Sequence, residues 1–331
     1  MKSENIENKC IEILEAGTEI RFRLNKIPEL LPDHILIKVE YSSINYKDYL
    51  TITKRDGFLR KYPHIPGIDA AGIVQESRSV NYKKGDRVAV VATPMGLIRN
   101  GGWASYVTIP DEWAILIPNH ISTKSIMAIG TAGLSAAIAV NEILQNIEPK
   151  TAKPILVTGG SGGVAMLAIN LLIKSGYDVV ASTGNLDANS YLTSLGVSKV
   201  IGRIRKSNSD IFSILPERWS GCIDTIGGDG LEVISKSLIQ KGIVTVIGMT
   251  AGSRTQMNLM PFILKGIRLV GINAEQLSSQ EKLEVISKFF TKECLVEVDK
   301  FIEMRNFEEL PHILKDYESN QRFGRVVIKM I

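Results

Sequence analysis

The chain has 331 residues, of which 44% are hydrophobic and 22% are charged, and its formal net charge is +4. This composition is typical of a folded globular protein and excludes a disordered or fibrous chain. A length of this order exceeds what one hydrophobic core usually spans and predicts two domains. Because the basic residues are scattered rather than clustered, the small positive charge predicts no nucleic-acid partner.

The three cysteines, Cys10, Cys222 and Cys294, lie far apart and form no Cys-x-x-Cys pair. They can build neither a disulfide framework nor a four-thiolate zinc site within one chain. The N-terminal stretch carries several glutamates and lacks the apolar core of a signal peptide. These features favour a reduced, cytoplasmic location.

Two uncharged stretches, residues 126–141 and 154–173, have to be weighed as membrane spans. The second has about the length of a membrane helix, but its four glycines would weaken a lipid-exposed helix. Its pattern instead predicts a buried strand, a turn and a helix. We therefore expect no membrane partner.

The first third of the chain predicts β structure. Short β-branched runs bounded by Gly, Pro or Asp occur at residues 34–41, 71–75 and 86–91. Runs of this kind are expected of a small barrel or a partly open sheet.

From about residue 123 the pattern changes to alternating helices and strands. Helices are predicted at residues 125–145 (one or two helices), 163–175, 188–195, 231–240 and 281–290. Strands are predicted at residues 154–157, 178–182, 199–201, 221–225, 242–247 and 268–272. Strands that alternate with crossover helices predict a parallel sheet wound on both faces. The predicted fold class is therefore α/β, with a β-rich domain and a doubly wound parallel-sheet domain.

The last residues, 324–331, again predict a strand (GRVVIKMI). It has no obvious place at the end of the α/β sheet, so we expect it to return to the first domain. The predicted domains are residues 1–124 together with 296–331, and residues 125–295. The run 268–272 predicts an apolar edge strand, and such an edge favours a homodimer.

The strongest motif is a glycine-rich turn between a predicted strand and a predicted helix. It contains Gly160-x-Gly162-x-x-Ala165. The first glycine permits a tight turn, the second lets the backbone approach a pyrophosphate, and the small third residue lets helix and strand pack closely. Backbone N–H groups and the helix dipole then bind phosphates without a cationic side chain. The sequence therefore predicts a dinucleotide-binding turn.

The end of the next strand indicates which dinucleotide binds. NAD-binding sheets usually place Asp or Glu there, on the ribose 2′-hydroxyl. This chain has Thr183, Gly184 and Asn185, with no acid before Asp187. Thr183 and Asn185 can donate hydrogen bonds to a 2′-phosphate, and Arg203 can supply positive charge. The sequence favours NADPH over NADH.

Further short motifs occur in the order found in one known family. They are Asn45–Tyr46–Lys47–Asp48, the runs 66–72, 85–88 and 101–106, Gly130–Thr131–Ala132–Gly133, and residues 261–264. With the glycine-rich turn, they resemble the medium-chain dehydrogenase/reductase superfamily. The resemblance is greatest to the acryloyl-CoA reductase branch of the zinc-free quinone oxidoreductases, and it covers residues 30–331. It implies a GroES-like β-rich catalytic domain built from both chain ends, a Rossmann domain and NADPH as cofactor.

The resemblance also implies which residues contact the cofactor. The implied contacts are Tyr46, Thr131 near the nicotinamide, Gly160, Ser161, Gly162, Gly163, Val164, Thr183, Gly184, Asn185, Arg203 and Met249. Relatives often carry Arg where this chain has Asn185, so more of the expected 2′-phosphate recognition falls on Arg203.

Zinc-dependent relatives hold their metal with Cys and His-Glu ligands at two motif positions. This chain has Asn45 at the first position and Ile68–Asp69 at the second. Zinc requires thiolate or imidazole ligands close together, so we expect no metal.

Hydride transfer without a metal depends on electrostatic positioning. Tyr46 is the first candidate for polarising or protonating the substrate, because a phenol donates readily near neutral pH. Asn45 can donate an amide N–H, and Asp48 can orient Lys47 or Tyr46. The alternative for this motif is a structural turn that only holds the wall of the cleft. Solvent is the alternative source of the proton. Arg325 is a further candidate for binding an anionic substrate group, and packing near the domain junction is the favoured alternative.

Three functions remain open at this point. The first is NADPH-dependent reduction of an activated C=C bond, in a short enoyl-CoA such as acryloyl-CoA. Lys54, Arg55, Arg60 and Lys61 could then bind the phosphates of coenzyme A. The second is a quinone or enone reductase, which would need apolar walls instead. The third is a non-catalytic NADPH-binding protein.

Overall fold

The computed structural model describes residues 7–15, 20–53, 61–150, 153–206, 212–318 and 323–330. The predicted coenzyme A contacts Lys54, Arg55 and Arg60 lie outside these residues. The chain forms two compact units. Unit 1 contains Met1–Leu134, Ala274–Gln321 and Arg325–Ile331, and unit 2 contains Ser135–Asn273 and Arg322–Gly324.

Unit 1 is rich in β structure. Its strands are β1 (Glu7–Ile13), β2 (Ile20–Lys26), β3 (His34–Ser43), β4 (Ala70–Ser77), β5 (Arg87–Val90), β6 (Tyr106–Pro110), β7 (Ala114–Leu116), β14 (Ile302–Asn306) and β15 (Arg325–Lys329). Its helices are α1 (Tyr46–Ile52), the start of α2 (Thr123–Asn146), α7 (Ser279–Phe289), α8 (Lys292–Asp299) and α9 (Leu310–Glu318).

The main sheet of unit 1 has the order β14-β15-β3-β4-β5-β7, with β6 paired to β3, and β1 and β2 form a separate hairpin. In β3 the residues Ile35, Ile37 and Val39 alternate inward and are fully buried, because successive side chains of a strand point to opposite faces. They pack with Trp103 in one hydrophobic core. The predicted strands at 34–41, 71–75 and 86–91 are thereby confirmed.

The C-terminal strand β15 lies inside this sheet. It pairs antiparallel with β3 and parallel with β14. This confirms that the chain end returns to the first β-rich region, and it brings Arg325 to the centre of unit 1.

Unit 2 is a doubly wound parallel sheet. Its strands are β8 (Ile155–Thr158), β9 (Val179–Ser182), β10 (Lys199–Ile201), β11 (Trp219–Asp224), β12 (Leu238–Val246) and β13 (Arg268–Gly271). Its helices are the rest of α2, α3 (Gly163–Lys174), α4 (Asn189–Ser194), α5 (Gly230–Lys236) and α6 (Met260–Lys265). The order β10-β9-β8-β11-β12-β13 is the 3-2-1-4-5-6 arrangement of dinucleotide-binding sheets. The α/β fold class is confirmed.

Strand β13 is the edge of the unit 2 sheet in the part of the chain that the structure describes. The predicted edge strand is therefore present. Dimerisation through it stays a prediction.

One predicted element is wrong in part. The helix predicted over 231–240 ends at Lys236, and β12 begins at Leu238. Leu238 pairs with Trp219 of β11, and an irregularity separates this pairing from the next one, Gly221 with Ile243. The buried strand pairing overrides the local helix preference of these residues.

The compact units divide the chain at other points than the predicted boundaries. Residues 274–295 belong with unit 1, because α7 packs on β7 and the Ser279 hydroxyl donates to the Glu112 carbonyl oxygen. Residues 125–134 also belong there. The division into independently folding domains stays a prediction.

Helix α2 is the one helix, within the described ranges, that is long and apolar enough to cross a membrane. Its most apolar window is 72% buried inside the protein, as in the core helix of a globular protein. Gly130 interrupts it with non-helical angles, φ 52° and ψ −161°. The predicted region 125–145 is thus two helical segments joined at a kink.

Candidate active site

The glycine-rich turn of unit 2 follows β8 and opens α3. Gly159 has φ +62°, a conformation that favours glycine. The Gly162 N–H donates to the Gly159 carbonyl oxygen at 2.8 Å, so Gly160 lies inside a tight turn, as predicted. Gly160 also serves packing, because an added Cβ would lie 3.0 Å from the Ala181 Cβ in β9. Ala165 is fully buried, as predicted for close contact between helix and strand.

Two backbone N–H groups of the turn are left without a protein acceptor. Those of Gly160 and Gly162 are used inside unit 2, and the parallel bridge between Gly162 and Gly324 engages that of Gly163. Those of Ser161 and Val164 have no acceptor within the described residues. They stand at the N-terminus of a 12-residue helix, where free N–H groups and the helix dipole suit an anion. The turn therefore fits the phosphates of a dinucleotide.

The end of β9 places its polar residues around Arg203. The Thr183 hydroxyl donates to Ser161 Oγ at 3.1 Å and accepts the Asn185 N–H at 3.1 Å. An added Cβ on Gly184 would collide with Arg203 Nε, so the guanidinium lies against Gly184. Arg203 is exposed. The structure thus brings together Thr183, Asn185 and Arg203, the three residues that the sequence predicted for the 2′-phosphate.

Met249 follows β12, at the carboxyl edge of the same parallel sheet, and is 37% exposed. Beside the turn, Thr158 and Asp224 end β8 and β11, and the Thr158 hydroxyl donates to Asp224 Oδ1 at 2.6 Å. Burial raises the pKa of Asp224 despite hydrogen bonds that lower it. This pair joins the two strands at the point where the strand order reverses.

In unit 1, the predicted catalytic motif forms the start of α1. Asp48 is fully buried, and its oxygens accept the backbone N–H groups of Asn45 at 2.8 Å, Ile68 at 2.8 Å and Gly67 at 3.1 Å. Burial raises the pKa of Asp48 to about 7. Asp48 therefore joins α1 to the segment before β4, and these contacts differ from the expected orientation of Lys47 or Tyr46.

Lys47 pairs with Glu275, which also belongs to unit 1. The pair is partly exposed, with 39% of the Lys47 side chain accessible. Since its partner is Glu275, Lys47 is not oriented by Asp48.

Asn45 belongs to a buried group of side chains that we call the Asp69 cluster: Ser43, Asn45, Asp69, Thr131 and Arg325. The Asn45 amide donates to Asp69 Oδ2 at 2.8 Å and to Ser43 Oγ at 3.3 Å. Its oxygen accepts from Arg325 at 3.0 Å. Both amide hydrogens are thus used in hydrogen bonds inside the protein. Asn45 has no free amide hydrogen for the expected donation to substrate.

Arg325 is 3% exposed and lies 3.7 Å from Asp69 Oδ2. Its guanidinium also donates to Asn45, to Ser43 and to carbonyl oxygens of three residues, Ile44, Met127 and Ala128. The expectation that Arg325 binds an anionic substrate group is therefore wrong, because the protein itself saturates the guanidinium.

Gly130 explains the kink in α2. An added Cβ would lie 2.5 Å from Asp69 Oδ2 and 2.6 Å from an Arg325 nitrogen. The backbone approaches the ion pair so closely that a side chain has no room, and its φ of +52° also favours glycine. The next residue, Thr131, donates its N–H to Asp69 Oδ2 at 3.0 Å and its hydroxyl to Oδ1 at 2.5 Å.

Tyr46 differs from its neighbours in the motif. Its side chain is half-buried, and its ring lies 6.1 Å from that of Tyr49. In the described part of the chain its hydroxyl has no hydrogen-bond partner. Of the three predicted catalytic residues, Tyr46 alone keeps a polar atom available to a ligand.

The donor set of unit 1 does not fit zinc. No three His, Cys, Asp or Glu side chains converge within the described ranges. Asp69, at one of the motif positions, already accepts three side-chain hydrogen bonds and faces Arg325. A carboxylate neutralised in this way is not offered to a metal.

Sequence reasoning missed several residues of these two regions. They are Thr158, Asp224, Asp69 as the centre of a cluster, Ala92, Lys282 and Gly324. Gly324 donates its backbone N–H to the Ser161 carbonyl oxygen at 3.0 Å. Buried acids that directly end predicted strands, as Asp224 does, were the available signal. Residue pairs that are far apart in the sequence, such as Asp69 with Arg325, leave no such signal.

Comparison with known proteins matches both units. The chain matches the family model "Alcohol dehydrogenase GroES-like domain" over residues 31–119 and "Zinc-binding dehydrogenase" over residues 163–291. It is 37% identical to the putative quinone oxidoreductase YhfP of Bacillus subtilis, over 99% of this chain and 97% of that one. It is 31% identical to the acrylyl-CoA reductase AcuI of Ruegeria pomeroyi, over 95% and 96%.

Solved structures agree with these matches. The B. subtilis yhfP protein with NAD bound has a TM-score of 0.89 at 34% identity, covering 98% of this chain and all of that one. The yhdH oxidoreductase of Salmonella enterica in complex with NADP has a TM-score of 0.88 at 28% identity, again covering 98% of this chain and all of that one.

The two regions and these matches define an oxidoreductase that uses a nicotinamide dinucleotide. The chain belongs to the medium-chain dehydrogenase/reductase superfamily, in the acryloyl-CoA reductase branch of its zinc-free quinone oxidoreductase group. The non-catalytic alternative is thereby set aside.

Proposed function

We propose that this enzyme uses NADPH to reduce the activated C=C bond of a short enoyl-CoA such as acryloyl-CoA. The observation that carries the choice of cofactor is Arg203, exposed and lying against Gly184 at the end of β9. A relative 31% identical over 95% of the chain is named acrylyl-CoA reductase, which supports the choice of acceptor.

Unit 2 supplies the residues that would bind the cofactor. The free N–H groups of Ser161 and Val164 would hold the pyrophosphate. Arg203 and Asn185 would bind the 2′-phosphate, because a guanidinium and an amide both donate hydrogen bonds to phosphate oxygens. No carboxylate occupies residues 183–186 to repel it.

Unit 1 supplies the residues that would act on the acceptor. When bound, the reduced nicotinamide supplies hydride to the β-carbon of the acceptor. The Tyr46 hydroxyl would donate a hydrogen bond to the carbonyl oxygen as negative charge develops there. A proton must then reach the α-carbon, from Tyr46 or from solvent. Thr131 would contact the nicotinamide, with its hydroxyl direction fixed by Asp69.

A quinone or enone reductase is the second candidate. A relative 37% identical over 99% of the chain is named putative quinone oxidoreductase, and the structure of that protein holds NAD. A small planar quinone would need no phosphate contacts, so Lys61 and the predicted contacts outside the described residues would not affect it.

Stopped-flow NADPH oxidation tests the proposal, with acryloyl-CoA, crotonyl-CoA and benzoquinone measured side by side. We expect kcat/KM for acryloyl-CoA to exceed that for benzoquinone by about 10-fold or more. Tyr46→Phe should lower kcat by about 10- to 100-fold, while Tyr41→Phe, the matched control in β3, should leave it unchanged. Faster turnover with benzoquinone would favour the second candidate, and full activity of Tyr46→Phe would remove Tyr46 from the chemistry.

A further inference from the structure

Ala92 has an unusual backbone conformation just after β5. Its φ is +49°, in the left-handed region that is disfavoured for any residue with a Cβ atom. Of the other non-glycine residues with positive φ in the described ranges, Asp33 and Lys241 are exposed. Ala92 is 2% exposed. Such a conformation persists only where surrounding contacts hold it.

Both backbone polar groups of Ala92 are held by side chains. Its N–H donates to Thr131 Oγ1 at 2.7 Å. Its carbonyl oxygen accepts from Lys282 Nζ at 2.9 Å. The two side chains come from α2 and α7, so the strained residue is fixed from two separate elements of unit 1.

Lys282 is placed at some cost. It is 4% exposed, although lysine is almost never fully buried unless it is paired. Burial lowers the pKa of Lys282, and the charge of Glu275 opposes this. Within the described residues its ammonium donates one hydrogen bond, to Ala92, and uses none of its other hydrogens. Lys282 is therefore a buried cation whose hydrogen bond, within the described residues, goes to one backbone carbonyl.

The Ala92 N–H acts directly on the Thr131 hydroxyl. That hydroxyl donates to Asp69 Oδ1 at 2.5 Å and accepts from Ala92, so its direction is fixed at both ends. A chain of contacts thus runs from Lys282 through Ala92 to Thr131 and Asp69.

We propose that Lys282 is a positioning residue. It holds Ala92 in the left-handed conformation, and Ala92 in turn orients the Thr131 hydroxyl for the cofactor. This inference rests on the proposed function, in which Thr131 contacts the nicotinamide. Because Lys282 is 4% exposed, it acts through Ala92 in this proposal and not by direct contact with cofactor or substrate.

The first test measures the contacts without any activity. Amide hydrogen exchange is followed by mass spectrometry in peptides that span residues 88–97. Lys282→Met should raise the exchange rate of this segment by about 10-fold, while Lys288→Met, an exposed control on the same helix, should not. Ala92→Val keeps Lys282 but increases strain, and should raise exchange as well. Unchanged exchange in both Lys282→Met and Ala92→Val would overturn the proposal.

The second test measures the reaction. Lys282→Met should lower kcat by about 10-fold and change KM for the acceptor by less than about 3-fold. The primary deuterium isotope effect with C4-deuterated NADPH should rise, because hydride transfer becomes slower. A merely structural defect would reduce the active fraction and leave the isotope effect unchanged, and that result would contradict the proposal.

A double variant completes the test. Glycine adopts a positive φ without a clamp, so Lys282→Met with Ala92→Gly should recover kcat to within about 3-fold of the parent protein. No recovery would count against the proposal. If the parent protein reduced none of the acceptors, the proposed function would fail, and hydrogen exchange would still decide whether Lys282 holds Ala92.

Discussion

The glycine-rich turn of unit 2 and the Asp69 cluster of unit 1 use hydrogen-bonding groups in opposite ways. In the turn, the N–H groups of Ser161 and Val164 have no acceptor within the described residues. In the Asp69 cluster, the side-chain N–H groups of Arg325 and Asn45 donate to acceptors inside the protein. A site that binds a ligand keeps donors free for it, whereas a cluster that satisfies itself holds the fold together.

This difference changes the interpretation of the motif Asn45–Tyr46–Lys47–Asp48. The residue types suggest three groups for catalysis, Tyr46, Asn45 and Asp48, with Lys47 oriented by Asp48. Three of the four motif residues are committed to partners in unit 1, Asn45 and Asp48 in buried contacts and Lys47 in a partly exposed ion pair. Tyr46 therefore stays the predicted catalytic residue of this motif, and the others position the helix that carries it.

The largest expected effect comes from breaking the Asp69 cluster. Arg325→Met leaves the buried Asp69 carboxylate without its cation and should lower the free energy of unfolding by about 3–5 kcal/mol. The control is Arg305→Met, where an exposed arginine paired with Glu303 and Glu309 is removed, and the loss should be much smaller because solvent screens an exposed ion pair. Urea unfolding measures both. Equal losses would mean that burial does not distinguish the two arginines.

The second effect is a pH dependence at Asp48. Burial raises its pKa from 3.8 to about 7, so the folded protein binds this proton more tightly than the unfolded chain. The resulting stabilisation is complete below about pH 4 and is lost as pH rises to 7. Relative to Asp48→Asn, the free energy of unfolding of the parent protein should fall by about 1.4 kcal/mol per unit of pKa shift across this window. A rising or flat difference would contradict the assignment.

The third effect blocks the open turn. An added Cβ on Gly162 would lie 3.2 Å from the Gly159 carbonyl oxygen, and Gly162 itself is exposed. Gly162→Val should therefore keep the fold, with the turn shifting by a few tenths of an ångström, and should weaken dinucleotide binding by about 100-fold, because the side chain keeps phosphates from the free N–H groups. Gly176→Val, at the far end of α3, is not a fair control because its φ is +84°. Gly202→Val is better, since an added Cβ there meets nothing within 4 Å.

Local patterns were enough to predict both sheets and the dinucleotide turn. Alternation in β3, the strand–turn–helix around Gly160 and the returning strand β15 depend on neighbouring residues, and the structure has all three. The Asp69 cluster depends on pairs that are distant in sequence, such as Asp69 with Arg325, and no local pattern encodes them. Hence the sequence leaves Arg325 as a candidate for substrate binding and Asn45 as a candidate for catalysis, whereas both are buried partners.

The prediction with the smallest expected effect is also the most direct test of the central claim. That claim is that free hydrogen-bond donors in unit 2 bind NADPH. Fluorescence titration gives Kd for NADPH and NADH in the parent protein, in Arg203→Ala and in the exposed neighbour control Arg205→Ala. We expect Arg203→Ala to weaken NADPH binding by about 10-fold or more and to leave NADH within about 2-fold, because one charge-assisted contact to the 2′-phosphate is lost. Equal affinities for the two cofactors in the parent protein, or no effect of Arg203→Ala on either, would contradict the account.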